Sequence, residues 1–247
     1  NVIQKFPFAT QTNSTDHGDL STTRTWNSGA SSNTHGFSHG TDGPTAGNSI
    51  DKFAFASNVT ATEHGDLPTV SGQGLSQHGG HSSETHGFTS GHGGGDGKTV
   101  TKYSFATADS VADHGDLTSA QKDFGGMSGP TDGYTSGGWD GGGVTARIDK
   151  FAYASNVTAA SHGNLSVVWR YGANISSSSY GFICGNGNSG YSAAIEKISW
   201  ASNTTAASHG NLSVGRIKSV GQSEKTYGFI SGGNTGSASN VIDKFSY

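Results

Sequence analysis

The sequence predicts an all-β fold built from tandem repeats, and three features carry that prediction. An apolar-x-Lys-apolar tetrad, such as Ile-Asp-Lys-Phe at 50–53, precedes a His-Gly-Asp/Asn-Leu tetrad, such as that at 64–67. The first apolar residue and the His are 14 apart in all five copies. Each period also contains a Gly-aromatic pair followed by small residues. Glycine makes up 40 of 247 residues, and no sustained i, i+3, i+4 apolar pattern favours a helix.

Short strands are expected inside each repeat. Phe53 and Phe55 stand at alternate positions, which is the period of a strand. Residues 58–60 and the Gly-Asp-Leu step continue that pattern, and residues 87–91 predict a short strand that runs into a glycine turn. The repeat periods are 47, 50, 48, 47 and 47 residues. Three or four short strands fit into such a length, which is the size of a propeller blade.

The repeat count predicts a five-bladed β-propeller, with residues 1–247 as a single repeat domain. The repeats cover 3–49, 50–99, 100–147, 148–194 and 195–241, and residues 242–247 are a sixth copy of one strand. If strands from both chain ends complete one blade, one copy is surplus, as an extra edge strand or as part of a continuing array. A linear solenoid with exposed strand edges is the competing architecture. Four extra residues in the second repeat predict a loop insertion around 77–81.

Composition limits the function classes. A net charge of −4 without a basic run argues against nucleic-acid binding. No apolar stretch approaches the roughly 18 residues of a membrane span. The lone Cys184 excludes an internal disulfide framework. Abundant Gly, Ser, Thr and Asn with few charges suit an extracellular or virion-surface setting.

Each repeat, when it is followed from its Gly-aromatic pair, resembles a kelch blade. Gly137-Gly138 and Gly232-Gly233 match the kelch diglycine, whereas three repeats depart from it, at His39-Gly40, Gly91-His92 and Gly185-Asn186. The expected Trp is absent, and a closing Arg follows in three repeats, as Arg24, Arg170 and Arg216. The repeat is also similar to Gly/Ser-rich propeller repeats of phage tail-fibre and virion-surface proteins. Both resemblances imply a propeller, and the second implies a surface location.

Histidine occupies one position in every repeat, as His17, His64, His114, His162 and His209. One interpretation is a ring of five imidazoles that binds a metal or an anion. The structural interpretation is favoured, because every blade has its own copy and buried polar groups need partners. Each His is then expected to bond a backbone carbonyl in its own blade and to fix the turn before Gly.

Residues that occur in one repeat only are the candidates for ligand binding, since the scaffold does not explain them. Aromatic rings beside Asp, Asn and Gly suit sugar binding, because a ring covers the apolar face of a pyranose while polar groups take its hydroxyls. Packing between blades is the alternative for the tryptophans. The candidates are Trp26, His39, His81, His92, Trp139, Asp140, Trp169 and Tyr171.

No metal, cofactor or enzymatic activity is predicted. His78 and His81 flank a glycine pair, but structural metal sites normally use four ligands. The Asp-Gly loops at Asp42, Asp96, Asp132 and Asp140 lack the spacing of a calcium loop. A hydrolase or lyase on a propeller requires carboxylates clustered at the central opening, which the sequence does not place.

Two functions therefore stay open. The first is a recognition or adhesion module that binds glycans or other cell-surface molecules through the loops between strands. The alternative is a structural assembly protein that decorates a capsid, tail or filament and contacts only neighbouring subunits, with a homo-oligomer as one form. Neither involves nucleic acid or membrane insertion.

Overall fold

The computed structural model describes residues 1–40, 47–69, 75–93 and 97–247, so Asp42 and Asp96 lie outside the described residues. Within this part of the chain the regular elements are all β-strands. The first two are β1 (Val2–Lys5) and β2 (Thr15–Asp19). The first blade follows, with β3 (Ser28–Ser31), β4 (His35–His39), β5 (Ser49–Ala54) and β6 (Thr62–Asp66). The second has β7 (Gly79–Ser82), β8 (His86–Ser90), β9 (Thr99–Ser104) and β10 (Ala112–Asp116).

Three further blades complete the order. The third has β11 (Gly125–Ser128), β12 (Asp132–Ser136), β13 (Arg147–Ala152) and β14 (Ala160–Asn164). The fourth has β15 (Ala173–Ser176), β16 (Tyr180–Asn186), β17 (Ser192–Ser199) and β18 (Ala207–Asn211). The fifth has β19 (Val220–Ser223), β20 (Tyr227–Ser231) and β21 (Ile242–Ser246).

The predicted five-bladed β-propeller is confirmed. Four blades are four-stranded antiparallel meanders, the fifth has three strands, and β1 pairs with β2 in a separate two-stranded sheet. The first strands of successive blades are neighbours, from β3 through β7, β11 and β15 to β19, so they surround a central channel. A repeat begins at a third strand, so each repeat combines the outer half of one sheet with the inner half of the next.

The chain ends do not share a blade, which corrects the simplest closure expected from the sequence. Instead, the β1–β2 sheet lies between the fifth blade and the first. Phe6 and Phe8 pack against Phe229 of β20, with ring centroids 5.7 and 4.9 Å apart. On the other side, Nε2 of His17 lies 3.0 Å from the carbonyl oxygen of Ala54 in β5. The sheets therefore form a ring and not a linear solenoid.

The core lies between neighbouring sheets. At four of the joints, the aromatic residue of a second strand packs on the repeated His of its own sheet and on an aromatic residue of the next sheet. Phe88 of β8, for example, lies 5.0 Å from His114 and is stacked 4.7 Å from Tyr153. Only 31% of the residues are hydrophobic, but the large aromatic side chains are concentrated between the sheets, and there they bury enough apolar surface to form a core.

The repeated histidines bond backbone carbonyls, but in the next sheet and not in their own blade as expected. His64 reaches Ser104, His114 reaches Ala152, His162 reaches Ser199 and His209 reaches Ser246, each at 2.8 Å. These carbonyls stand at the end of third strands, where the ladder of the sheet is ending. The imidazole satisfies them from the neighbouring sheet, so each His is a link between sheets.

The insertion in the second repeat also lies elsewhere than expected. Residues 79–82 form strand β7, whose His81 is buried. The extra residues therefore fall between β6 and β7, in the stretch 67–78. That position leaves the blade itself intact, because the loop between two blades absorbs the added length.

Candidate functional site

A ring of five residues surrounds one mouth of the central channel. The channel opens into a cavity of about 850 Å³, which is lined by the first strands of the five blades, by the N-terminal sheet and by Phe53 and Phe55 of the first blade. Two residues before each first strand the backbone is left-handed, with φ between 55° and 60°. This conformation is uncommon for residues other than glycine and is strained. The five residues, here called the mouth ring, are Trp26, Gln77, Asp123, Tyr171 and Lys218.

Backbone hydrogen bonds join the mouth ring from blade to blade. The N–H of Gln77 donates to the carbonyl of Trp26 at 3.2 Å, and the N–H of Asp123 donates to Gln77 at 3.1 Å. Tyr171 donates to Asp123 at 3.1 Å, and Lys218 donates to Tyr171 at 2.8 Å. The left-handed backbone turns each N–H toward the preceding blade. The fold thus requires the conformation at these positions and leaves the side chains free to differ.

Three side chains of the mouth ring form an aromatic box around a cation. Nζ of Lys218 lies 4.3 Å from the ring centroid of Trp26 and 5.2 Å from that of Tyr171. The two aromatic rings are 6.2 Å apart. A second cation lies over Tyr171, because the guanidinium of Arg170 is 4.9 Å from the centroid of that ring. Trp26 remains 36% exposed, so an aromatic ring with the Lys218 ammonium beside it is partly open to solvent at the channel mouth.

Asp123 supplies the acidic group of the mouth ring. Burial raises the pKa of its carboxyl group, while a hydrogen bond from the Tyr171 hydroxyl and the nearby Lys122 and Arg170 lower the same pKa. Its Oδ1 atom is buried and has no protein hydrogen-bond partner among the described residues. Burial also raises the pKa of Tyr171, with Asp123 as the second cause. The pair therefore keeps a hydroxyl donor and a carboxyl acceptor side by side at the channel mouth.

Further candidates lie at the same end of the propeller. In an antiparallel meander, the loop from the second to the third strand emerges at the end where the first strand begins. Trp139 and Asp140 occupy such a loop, and the backbone of Trp139 pairs with Lys122, the neighbour of Asp123. Trp139 and His92 line a small pocket of about 180 Å³ beside Lys122. Asp140 caps its own glycine loop, since its Oδ1 accepts from the N–H groups of Gly142 and Gly143 at 3.1 Å.

Three predicted ligand-binding residues are buried, so these predictions are corrected. Trp169 is 2% exposed and belongs to the core between the third and fourth blades. His39 is fully buried, and its Nδ1 lies 2.9 Å from Nε2 of His78. His81 lies between the carbonyl of Met127 at 2.9 Å and Oγ of Ser90 at 2.7 Å. His92, only 4% exposed, keeps a place in the small pocket but offers little surface.

No metal site follows from these histidines. His78 and His81 turn to different partners, so the pair does not converge on one ion. Across the described residues, no group of three or more His, Cys, Asp or Glu side chains could hold a metal. A helix long and apolar enough to cross a membrane is likewise absent from the described part of the chain.

One stretch of the sequence also matches a catalytic motif. Residues 36–40 read Gly-Phe-Ser-His-Gly, which matches the spacing of a nucleophile elbow. That elbow requires a sharp turn from a strand into a helix, whereas Ser38 lies inside strand β4. The Oγ of Ser38 accepts a hydrogen bond from the Asn27 amide at 3.0 Å. The motif is therefore part of an ordinary strand.

Comparison with known proteins adds no family to the propeller fold. No family model matches the chain, and no curated protein is similar to it. Of the predicted site residues, the structure brings Trp26 and Tyr171 together and adds Gln77, Asp123 and Lys218. Their common position two residues before a first strand, at spacings of 51, 46, 48 and 47, is a signal that an alignment of the repeats could have shown.

Proposed function

We propose that this chain is a non-enzymatic recognition or adhesion module that binds glycans or other surface molecules at the channel mouth. The observation that supports this most is the mouth ring, which places an exposed aromatic face, two cations and a carboxyl group around one opening. Ligand sites typically combine apolar walls with a few polar groups in this way.

The chemistry of the mouth ring favours a sugar. The faces of Trp26 and Tyr171 suit the apolar side of a pyranose, while Asp123 and Gln77 can take its hydroxyls. Lys218 and Arg170 add an affinity for an anionic substituent. The resemblance to kelch and virion-surface repeats is part of the same proposal, and so is the extracellular or virion-surface location.

A glycan array with the purified chain tests the proposal. We expect saturable binding to one class of sugar, and a loss of affinity of about tenfold or more in Trp26→Ala and in Tyr171→Ala. Tyr180→Ala is the matched control. Tyr180 is 38% exposed and carries a cation on its ring, with Nζ of Lys197 at 4.6 Å, but it lies at the opposite end of the propeller. Binding to no sugar, or equal losses in all three variants, contradicts a site at the channel mouth.

A structural assembly role is the second candidate. Its specific support is that the fourth strands β6, β10, β14 and β18 each have an outer edge without a ladder partner in the described part of the chain. Such edges are templates for pairing with another chain.

A further inference from the structure

The two cations at the channel mouth are not paired within the fold. Three of the four arginines of the chain form an ion pair with an aspartate, namely Arg24 at 3.1 Å, Arg147 at 3.3 Å and Arg216 at 2.8 Å. The fourth, Arg170, forms no ion pair among the described residues, and neither does Lys218. The charges of these two side chains are therefore available to a ligand.

Arg170 stands one residue beyond the position of the buried arginines in other repeats. Arg24 and Arg216 follow the repeated His by seven residues, and each guanidinium bonds backbone carbonyls and an aspartate inside its blade. In the fourth repeat, Trp169 takes that buried place and Arg170 follows the His by eight residues. This single step moves the guanidinium from the interior of the blade to the channel mouth, where it lies over Tyr171.

Positive charge faces the solvent at this opening, although the whole chain has a net charge of −4. Lys218 is exposed, and Arg170 and Lys122 are half-buried. Asp123, the acidic member of the mouth ring, is only 9% exposed and accepts a hydrogen bond from the Tyr171 hydroxyl. Burial raises the pKa of its carboxyl group, which reduces its negative charge. An approaching ligand therefore meets an ammonium and a guanidinium group before it meets a carboxylate.

Both unpaired cations lie against the aromatic rings of the candidate sugar site. Nζ of Lys218 is 4.3 Å from the ring centroid of Trp26, and the guanidinium of Arg170 is 4.9 Å from that of Tyr171. The two aromatic rings are themselves 6.2 Å apart. A sugar that covers the exposed part of Trp26 thus comes within reach of both cations.

We propose that the channel mouth selects sugars that carry a carboxylate group, and that Lys218 and Arg170 determine this specificity. The inference rests on the proposed sugar site and names the class of sugar that it binds. A guanidinium is planar and matches the two oxygens of a carboxylate, and the ammonium adds a point charge beside it. A neutral pyranose takes water from both cations without giving them a partner, so it binds more weakly.

Titration calorimetry of the purified chain with matched pairs of oligosaccharides tests this proposal. Each pair is one acidic oligosaccharide as the free acid and as its methyl ester, so the two members differ in charge. The pairs are made from oligogalacturonate, oligomannuronate, hyaluronan fragments and sialyllactose. We expect at least one acid to bind about tenfold more tightly than its ester at low salt. The difference should shrink as salt is added, because salt screens exposed charges.

Variants assign the difference to the two cations. In Lys218→Gln and in Arg170→Gln, the ratio of acid affinity to ester affinity should fall by about threefold or more. Lys218→Arg keeps the charge and should keep most of the ratio. Lys197→Gln is the matched control, because Nζ of Lys197 also lies over an aromatic ring, 4.6 Å from Tyr180, but at the opposite end of the propeller.

The outcomes separate this specificity from the sugar site itself. Equal binding of acid and ester, with both lost in Trp26→Ala, overturns the specificity and leaves the sugar site in place. Binding of no acid in the panel also overturns it, and the glycan array then decides whether the sugar site remains. Tighter binding of a sulfated dextran oligosaccharide than of every acid shows that a carboxylate is not the selected group. An equal fall of the ratio in Lys197→Gln contradicts the role of the two cations at the mouth.

Discussion

Several imidazoles are buried as neutral groups beside the channel. His39 and His78 share a hydrogen bond of 2.9 Å, and His81 bridges Met127 and Ser90. Burial lowers the pKa of His78 to about 3 and that of His81 to about 4, and it also lowers the pKa of His39. A proton on any of these rings would leave a buried positive charge without an anionic partner, so the folded chain holds them uncharged.

Acidification is therefore expected to weaken the fold. Between pH 7 and pH 5 the free energy of unfolding should fall by about 2 kcal/mol for each of His78 and His81. Their folded pKa values are about 3 and about 4, against an ordinary value of 6.5, so in this range only the unfolded state takes up protons. The stabilisation is complete above pH 6.5 and is lost as the pH falls toward the folded values. Urea unfolding at several pH values measures this dependence.

The variant His81→Gln isolates one of these contributions. It keeps a polar side chain between Met127 and Ser90 but does not titrate, so its stability should fall by about 2 kcal/mol less than that of the unmodified chain over the same range. An unchanged pH dependence in this variant would show that His81 is already protonated in the folded state or is not buried.

At the same scale, the sequence identified only part of the candidate site. Trp26 and Tyr171 stood out because tryptophan and tyrosine are rare outside the repeated positions. Gln77, Asp123 and Lys218 did not, since such residues are common in surface loops. Their role follows from a shared backbone conformation, which residue type alone does not reveal. The burial of Trp169 could not be predicted either, because a sequence does not distinguish an exposed tryptophan from a packed one.

Among the elements, the links between sheets give the blades their mutual order. A second hydrogen bond often accompanies the His link. An acidic residue in the third strand of the next sheet accepts it from the residue that follows the His-Gly-Asp/Asn-Leu tetrad. Thr118 donates from Oγ1 to Asp149 at 2.6 Å, for example. The joint between the first two blades has different residues at both positions. Thr101 stands in place of the acidic acceptor, and Pro68, which has no N–H, stands in place of the donor. The sequence correctly predicted that each His bonds a backbone carbonyl, but it placed that carbonyl in the same blade, whereas the next sheet provides it.

Removal of one His link should lower the free energy of unfolding more in the interior of the ring than near the chain end. His162→Ala is expected to destabilise the fold by about 2 kcal/mol, because the Ser199 carbonyl loses its 2.8 Å partner in a partly buried setting. His209→Ala removes an equal bond to Ser246, but in an exposed setting where water can replace it, so a loss below about 1 kcal/mol is expected. Urea unfolding compares the two, and equal losses would contradict the role of burial.

For the whole molecule, the repeat period was enough to predict five blades, because each period holds the strands of one blade. It was not enough to predict how the ring closes. β1 and β21 have the same sequence type, so the repeat pattern alone leaves both pairings with β20 open. The structure pairs β21 with β20 and places β1–β2 beside them as a separate sheet.

The ring is consequently weakest at the seam between the fifth blade and the β1–β2 sheet. Every other joint has a His link, whereas across the seam the described residues show ring contacts of Phe229 with Phe6 and Phe8 but no such link. Regions with few buried contacts open first. Hydrogen exchange of the monomer, followed by mass spectrometry, should therefore be fastest in β1 and β19 and slowest in β12 and β13.

A variant at the seam separates local opening from general loosening. Phe8→Ser removes the stacked contact of 4.9 Å with Phe229, so exchange in β1 and β19 should accelerate while β12 and β13 keep their protection. Faster exchange in all blades would mean that the propeller opens as one cooperative unit. Unchanged exchange would mean that other contacts hold the seam, and both results would contradict a ring that opens at this point.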